Sequence, residues 1–257
     1  MKFISTKSFC LLLAMLLVTP LWASASEKTA DSQAKWSYEG ATGPAHWGDL
    51  APEYSTCKQG KNQSPININK SSKVKLPAIK FDYSMLIPEN IVNTGHSIQV
   101  NVRSGGTLKL DDKDFELKQF HFHSPSENRV DGESYPLEAH YVHLSKDNEI
   151  AVVALLFKPG MASPSLGTLI NNMPMKAGQS NRLGAKDIQG FERSKQVTDY
   201  FRYNGSLTTP PCTEGVRWIV LKTLPTMSRQ QLDAFQRALK QPNNRPVQPL
   251  NARIIFR

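Results

Sequence analysis

The sequence lacks concentrated charge of either sign. Its 31 Lys and Arg residues outnumber its 22 Asp and Glu residues, which gives a formal net charge of +9, but no run of five or more basic residues occurs. It also has no nucleic-acid-binding motif, internal repeat or low-complexity tract. These absences argue against a nucleic-acid-binding protein or a repeat array. We therefore expect no nucleic-acid partner, and we interpret the basic balance as a contribution to solubility and electrostatic steering.

Long hydrophobic runs are also absent, with one exception near the N-terminus. Phe9–Val18 is almost wholly apolar, follows Lys2 and Lys7, and precedes the small residues Ala23–Ala25. This order is typical of a secretory signal peptide, and the run is too short to span a membrane comfortably. We predict that residues 1–25 are cleaved, which removes two lysines and leaves a net charge of +7 and no stable membrane anchor. Export predicts a periplasmic protein, or a secreted one where the source has a single membrane.

Cysteine is scarce, and the mature chain would contain only Cys57 and Cys212. In an exported protein an even number of cysteines favours a disulfide, with two free buried thiols as the alternative. A bridge would close a loop of about 155 residues, for which chain-entropy models give ~5 kcal/mol before strain is subtracted. It would also tether the segment that contains Thr208, four residues before Cys212.

Helix patterns are few, and short strand patterns dominate the chain. Ser228–Lys240 has the strongest helix pattern, with Ser228 and Gln231 as a capping box. A shorter helix could begin at Ser163-Pro164 and end near Asn171. Alternating or β-branched runs between turn residues predict strands over Ile79–Tyr83, Ile98–Val102, Thr107–Leu110, Phe115–His123, Leu137–Leu144, Ile150–Phe157 and Val216–Thr223.

These patterns predict a β-dominated α+β fold. We expect a single domain around a large, twisted, mainly antiparallel central sheet with a few short peripheral helices. Residues 26–35 are polar and unpatterned, and they are expected to form a flexible lead-in to a domain over residues 36–257. No stretch of linker composition interrupts that domain.

Two of only six histidines lie one residue apart in QFHFHSPSEN. Because residues i and i+2 of a strand share a face, His121 and His123 point the same way as Gln119, and the intervening phenylalanines point towards a core. A later strand pattern, LEAHYVHLS, could contribute His140 from a neighbouring strand. The spacing predicts a metal site, with hydrogen-bonded strand histidines as the alternative. His143 has the opposite strand parity to His140, and we interpret it as structural.

Three neutral imidazoles suit Zn²⁺ with a fourth position left for water, which is the catalytic arrangement. A closed structural site would need a fourth ligand, usually a thiolate. Ligating imidazoles commonly donate their other N–H to a carboxylate, an amide oxygen or a carbonyl. Gln119 beside His121, and Glu138 beside His140, lie on the faces that this requires. If the three histidines bind a metal rather than only form hydrogen bonds, the pattern favours one zinc ion per chain.

Several further motifs follow a fixed order along the chain. They are NQSPINI (Asn62–Ile68), NTGH (Asn93–His96), SENRVDGESYPLEAHYVH (Ser126–His143), GSLTTPPC (Gly205–Cys212) and NNRPVQPLNAR (Asn243–Arg253). Together with QFHFH they resemble the α-class carbonic anhydrases, of the bacterial exported type, over essentially all of Trp36–Arg257. Tyr141 departs from the aliphatic residue more usual at its position, and it should face away from the metal.

The resemblance implies zinc-dependent, reversible hydration of carbon dioxide to bicarbonate and a proton, with sensitivity to sulfonamides. It implies that the zinc ligands are His121, His123 and His140. Gln119 and Glu138 would hold the first and third of these ligands, and a backbone carbonyl near Asn243 would hold His123. Bacterial members of the family also carry a disulfide at the positions of Cys57 and Cys212.

The resemblance also assigns the remaining catalytic roles. Thr208 and Glu127 match the pair that orients the attacking hydroxide, and His96 matches the proton shuttle. Tyr38 and Gln99 are expected to help order water. Strict alternation places His96 on the face of Ile98 rather than that of Gln99, which a local bulge would reconcile. The apolar substrate pocket is matched by Val142, Val152, Leu207, Thr209 and Trp218.

Two other function classes compete with this hypothesis. One is a binding or adhesion module on the same fold that has lost its metal ligands, and the other is a structural zinc domain. The presence of all three histidines with Thr208 and Glu127 argues against the first, and an open fourth coordination position argues against the second. The expected partners are carbon dioxide and bicarbonate, and a homodimer is left open as the assembly.

Overall fold

Strands account for most of the regular structure in the computed structural model, which describes residues 34–188 and 194–257. The predicted signal peptide and most of the predicted lead-in lie outside these residues. In chain order the strands are β1 (Asn67–Ile68), β2 (Ile79–Asp82), β3 (Ile87–Asn93), β4 (Ile98–Ser104), β5 (Thr107–Leu110), β6 (Lys113–His123), β7 (Arg129–Val130), β8 (Leu137–Ser145), β9 (Ile150–Pro159), β10 (Ser180–Arg182), β11 (Ser194–Val197), β12 (Tyr200–Ser206), β13 (Glu214–Leu221) and β14 (Thr226–Met227).

Twelve of the strands in the described residues form one sheet, whose main path is β10-β3-β4-β6-β8-β9-β13-β12. The strands β2, β5, β11 and β14 pair at its margins, and β1 pairs with β7 separately. Most pairs are antiparallel, whereas β9 pairs in parallel with β13 and β14. Ala34–Arg257 forms one compact unit around this sheet. The predicted fold class and the mainly antiparallel central sheet are confirmed.

The helices are short and peripheral, as predicted. They are α1 (Trp47–Leu50), α2 (Thr56–Gln59), α3 (Pro164–Asn172) and α4 (Arg229–Leu239). The predicted capping box begins α4, because the Ser228 side chain accepts from the backbone N–H of Gln231 and the Gln231 side chain accepts in return. None of the helices in the described ranges is long and apolar enough to cross a membrane.

The main hydrophobic core lies on the face of the sheet that the QFHFH phenylalanines were predicted to occupy. Phe120 and Phe122 are fully buried, and Phe122 packs against Phe235 of α4 with 4.8 Å between ring centroids. Tyr141 faces the same side, where its ring stacks on Phe120 at 5.2 Å. The predicted alternation of faces is therefore confirmed, and β6 and β8 direct the intervening side chains to the opposite face.

Two strands, β3 and β12, lie outside the predicted strand patterns. β3 contains Pro88, which lies at a register irregularity in the pairing with β4, where a missing N–H is tolerated. β12 ends in Gly205-Ser206, where its register with β13 also shifts. In β3 the tertiary setting determines the conformation more than intrinsic propensity does.

A small hydrophobic cluster, separate from the main core, joins the N-terminal segment to the loop after β12. Cys57 and Cys212 form a disulfide, so the alternative of two free thiols is excluded. Trp47 and Tyr54 pack around it in a small hydrophobic cluster. The disulfide connects the turn that carries Thr208 to the N-terminal part of the domain, as the sequence predicted.

Candidate metal centre

The three predicted ligands converge on the face of the sheet opposite the phenylalanine core. His121 lies directly opposite His140 in the antiparallel pairing of β6 with β8, and His123 is two residues further along β6. Their ring centroids are separated by 4.5 to 5.3 Å. One candidate ligand nitrogen from each ring lies within 4.8 Å of the others. His123 and His140 are buried, and His121 is partly exposed.

Each imidazole has a hydrogen-bond acceptor at one of its two nitrogens. Nδ1 of His121 lies 2.8 Å from the amide oxygen of Gln119, and Nε2 of His140 lies 2.8 Å from the carboxylate of Glu138. Nδ1 of His123 lies 2.7 Å from the backbone carbonyl of Asn243. These acceptors place the proton on the bonded nitrogen, so the other nitrogen of each ring presents a lone pair.

The unbonded nitrogens are the candidate metal-binding atoms of the site. His123 Nε2 is buried and has no hydrogen-bond partner among the described residues. Burial lowers the pKa of all three histidines, and for His121 and His140 the neighbouring imidazoles lower it further. Neutral imidazole is the form that coordinates a metal. The donor set and the unsatisfied nitrogen therefore fit a divalent cation such as Zn²⁺.

Glu138 anchors more than the histidine beside it. Its Oε2 accepts from the backbone N–H groups of Glu127 and Asn128, and its Oε1 accepts from the Asn128 side chain as well as His140. The carboxylate is fully buried, and burial raises its pKa while the bond from Asn128 opposes that effect. The sequence did not identify Asn128, whose role depends on the turn that follows β6.

Glu127 lies at the inner edge of the same cluster. Its Oε1 accepts from the backbone N–H of Arg245 at 2.8 Å, and its Oε2 lies 3.5 Å from His123 Nε2 without a hydrogen-bond partner among the described residues. Burial raises the pKa of Glu127, whereas the neighbouring Thr208 side chain lowers it. A cation on the three imidazoles would lower it further by adding positive charge nearby.

An apolar wall continues from the histidines across the sheet. Val142 of β8 lies opposite Val152 of β9, and Val152 lies opposite Trp218 of β13. The Trp218 ring is 4.9 Å from the His140 ring, and its indole N–H donates to the Ser206 carbonyl. Leu207 packs against the hydrophobic cluster that contains Val152 and Trp218. Thr209 lies in the following turn, where its carbonyl accepts from the Cys212 N–H.

His96 lies in the turn between β3 and β4, outside both strands. Strand alternation therefore does not apply to it, and no bulge is needed to explain its position. Its ring stacks on Trp36 with 3.8 Å between centroids and is 6.4 Å from the Tyr38 ring. Burial lowers the pKa of His96. Gln99 is the register partner of His121, and its side chain donates to Asn101.

The two remaining histidines have no place in this cluster. His143 is buried on the opposite side, where its Nε2 lies 2.6 Å from the Tyr83 hydroxyl and its Nδ1 lies 3.3 Å from the Ala151 carbonyl. His46 is exposed just before α1.

Comparison with known proteins gives the same result as the motifs. A protein-family model described as "Eukaryotic-type carbonic anhydrase" matches residues 42–257. The chain belongs to the α-carbonic anhydrase family. A carbonic anhydrase of Pectobacterium atrosepticum is 43% identical over 95% of this chain and 97% of that protein. The solved α-carbonic anhydrase of Thermovibrio ammonificans, in complex with the inhibitor sulfanilamide, is 47% identical with a TM-score of 0.80, and the match covers 88% of this chain and 100% of that one.

Membership of the α-carbonic anhydrase family, with relatives at this identity, supports carbonic anhydrase activity in this chain. Proteins that are not named carbonic anhydrase are similar to this chain as well. Dioscorin dioA3 of Dioscorea japonica is 35% identical over 95% of this chain and 94% of that protein. The finer details of function therefore depend on the site residues rather than on the fold.

Proposed function

We propose that this protein hydrates carbon dioxide reversibly with one Zn²⁺ held by His121, His123 and His140. The observation that carries the proposal is the arrangement of these three rings. Each has one nitrogen bonded to a protein acceptor, and one candidate ligand nitrogen from each ring lies within 4.8 Å of the others in a mostly buried cluster. Zinc bound there would supply a water with a pKa of about 7, and hence a hydroxide nucleophile at neutral pH.

Thr208 and Glu127 are proposed to orient that nucleophile. An ionised carboxylate can only accept hydrogen bonds, so the Thr208 hydroxyl must donate to Glu127. The Thr208 oxygen is then left to accept a hydrogen bond from the attacking hydroxide, which turns a lone pair towards the substrate. The influence of Thr208 on the Glu127 pKa, and the backbone bond from Arg245, support this arrangement.

The apolar wall suits an uncharged substrate that forms few polar interactions with a protein. Carbon dioxide is linear and a weak ligand, so it gains most from a dry niche beside the nucleophile. Val142, Val152 and Trp218 lie in one transverse row of the sheet beside the row that contains His121 and His140. Leu207 and Thr209 would close this niche from the turn after β12.

His96 is proposed to carry the released proton to buffer. It lies in an exposed hairpin turn, its ring is only partly buried, and its lowered pKa keeps it neutral and able to accept a proton near pH 7. Tyr38 lies 6.4 Å from the same ring and, with Gln99, is proposed to help order the connecting water.

The disulfide fits an exported protein, and we propose a periplasmic location after cleavage of residues 1–25. We also propose sulfonamide sensitivity, because the Thermovibrio relative was solved with sulfanilamide. Metal analysis of the purified mature protein tests the site itself. We expect one zinc per chain, and loss of that zinc in His140→Ala. Protein without zinc after purification and after incubation with zinc would overturn the proposal in favour of a binding module.

A further inference from the structure

Arg245 is a buried arginine that forms no ion pair within the described residues. Only 2% of its surface is exposed, and the Glu127 carboxylate accepts from its backbone N–H rather than from its guanidinium. Its Nε is buried without a hydrogen-bond partner, and the guanidinium lies 5.6 Å from the Trp47 ring. Burial of this cation is costly and lowers the pKa of Arg245 to about 10, an effect that the Glu127 carboxylate partly offsets, so the guanidinium depends on the hydrogen bonds that its neighbours provide.

The guanidinium of Arg245 is held by the segment that contains Cys57. Nη2 donates to the Cys57 carbonyl at 2.9 Å, and Nη1 donates to the Ser64 carbonyl and to the Gln63 side-chain oxygen at 2.8 Å. Gln63 then donates from its Nε2 to the Cys212 carbonyl at 3.1 Å. One Arg245–Gln63 pair therefore bonds the backbone carbonyls of both cysteines in the disulfide.

The backbone of Arg245 faces the site. Its N–H donates to Glu127 Oε1, and the carbonyl of Asn243, two residues earlier, accepts from His123. The Asn243 side chain also accepts from the Ser124 N–H and donates to the Phe122 carbonyl. The segment of residues 243–245 is thereby held against both the histidine cluster and the Glu127 carboxylate.

We propose that Arg245 is a positioning residue that links the Cys57–Cys212 disulfide to the Glu127 carboxylate. The disulfide fixes Thr208 through four residues of chain, and it fixes Glu127 through Arg245 and Gln63. The same disulfide therefore positions both Thr208 and Glu127. The kinetic part of this inference rests on the proposed hydration of carbon dioxide, whereas the coupling between Arg245 and the disulfide does not.

Substitution of Arg245 tests the kinetic part. In Arg245→Met, with zinc content unchanged, we expect kcat/KM for hydration to fall by about tenfold or more, in the range seen when a partner of a metal-site residue is removed. Imidazole buffer should not restore it, because proton transfer is not the affected step. Arg245→Lys, which keeps the charge and some of the donors, should recover part of the loss.

Arg253 provides the matched control. It is another arginine of the C-terminal segment, and it donates to the carbonyls of Leu250, Asn204 and Pro249 without a link to Glu127. Arg253→Met should lower the melting temperature and leave kcat/KM unchanged. Equal kcat/KM values for Arg245→Met and the wild type would overturn the positioning role. Should Arg245→Met fail to fold, Gln63→Leu tests the same link with a smaller expected loss.

A melting-temperature cycle tests the coupling without reference to activity. The four proteins are the wild type, Arg245→Met, the double variant Cys57→Ser/Cys212→Ser, and the combination of all three changes. We expect the disulfide to add less to the melting temperature when Arg245 is absent, because contacting groups are not additive. Additive effects would contradict the link. Wild-type protein without hydration activity would instead refute the proposed function while leaving this cycle interpretable.

Discussion

Glu138 and His140 share one face of β8, and the carboxylate oxygen Oε1 lies 2.8 Å from the imidazole Nε2. The same carboxylate accepts from two backbone N–H groups and from the Asn128 side chain. Glu138 therefore orients the His140 imidazole while its own position is fixed by the turn after β6. The orientation of this candidate metal ligand thus depends on the fold around it.

Glu138→Gln should weaken zinc binding. The amide would turn its NH₂ group towards donors that now face a carboxylate oxygen, so at least one buried hydrogen bond would be lost. We expect the zinc dissociation constant to rise about 10- to 100-fold, measured by competition with a chelator. Glu116→Gln, at an exposed position of β6 where Glu116 pairs with Lys118, is the control and should bind zinc as the wild type does. Unchanged affinity in Glu138→Gln would contradict the role assigned to Glu138.

Val152→Phe should obstruct the substrate niche and spare the metal. Val152 is buried between Val142 and Trp218 in the transverse row, so a larger ring there must displace neighbours or project into the niche. We expect kcat/KM to fall by about 10²-fold, the scale associated with displacement of a reactant by about 1 Å. Zinc content should stay at the wild-type value. Wild-type kcat/KM in a folded Val152→Phe protein would show that substrate binds elsewhere.

His96→Ala separates proton transfer from hydration. The variant removes the imidazole that stacks on Trp36, and kcat should fall by about tenfold or more in a buffer that cannot replace it. Values of kcat/KM should be little changed, and millimolar imidazole should restore kcat. A wild-type kcat in His96→Ala, measured in a bulky buffer, would remove His96 from the mechanism.

His143 should make the fold sensitive to acid. Burial lowers its pKa to about 4, so the unfolded chain, with a histidine pKa of about 6.5, takes up the proton first as pH falls. Its contribution to the free energy of unfolding is present above pH ~6.5 and is lost as pH falls towards 4, with a total of about 3 kcal/mol. Urea unfolding at pH 7, 5.5 and 4.5 measures this loss.

His143→Gln is the matched variant for that experiment. It removes the titrating ring and disturbs the contact with the Tyr83 hydroxyl, so it should be less stable at pH 7. Its stability should nevertheless fall less steeply between pH 6.5 and 4 than that of the wild type. Parallel pH profiles for the two proteins would exclude His143 as the source of the acid sensitivity.

The local geometry of the site could be predicted because it depends on strand periodicity. Alternation in β6 placed His121 and His123 together and the phenylalanines opposite, and the same rule separated His143 from His140. The partners Gln119 and Glu138 followed from the same two-residue spacing. These inferences needed only neighbours in the chain, and the family resemblance then supplied the order of the distant motifs.

The remaining features depend on contacts between distant segments. Strand periodicity could not bring Asn243 to His123 across 120 residues, and only the family resemblance predicted that contact. Neither gave a reason for Arg245 to bond the Cys57 carbonyl across 188 residues. Pro88 obscured β3, because proline in a strand is tolerated only where the ladder is irregular. The turn position of His96 depends on the hairpin between β3 and β4, so strand alternation could not place it.

Stopped-flow measurement of carbon dioxide hydration by the mature protein tests the central proposal most directly. Three preparations should be compared: zinc-loaded protein, protein stripped by a chelator, and stripped protein to which zinc has been restored. We predict fast hydration that is lost on stripping, regained with one zinc per chain, and absent from His140→Ala under all three conditions. Hydration that persists in the stripped protein, or that is missing from the zinc-loaded wild type, would contradict the proposal.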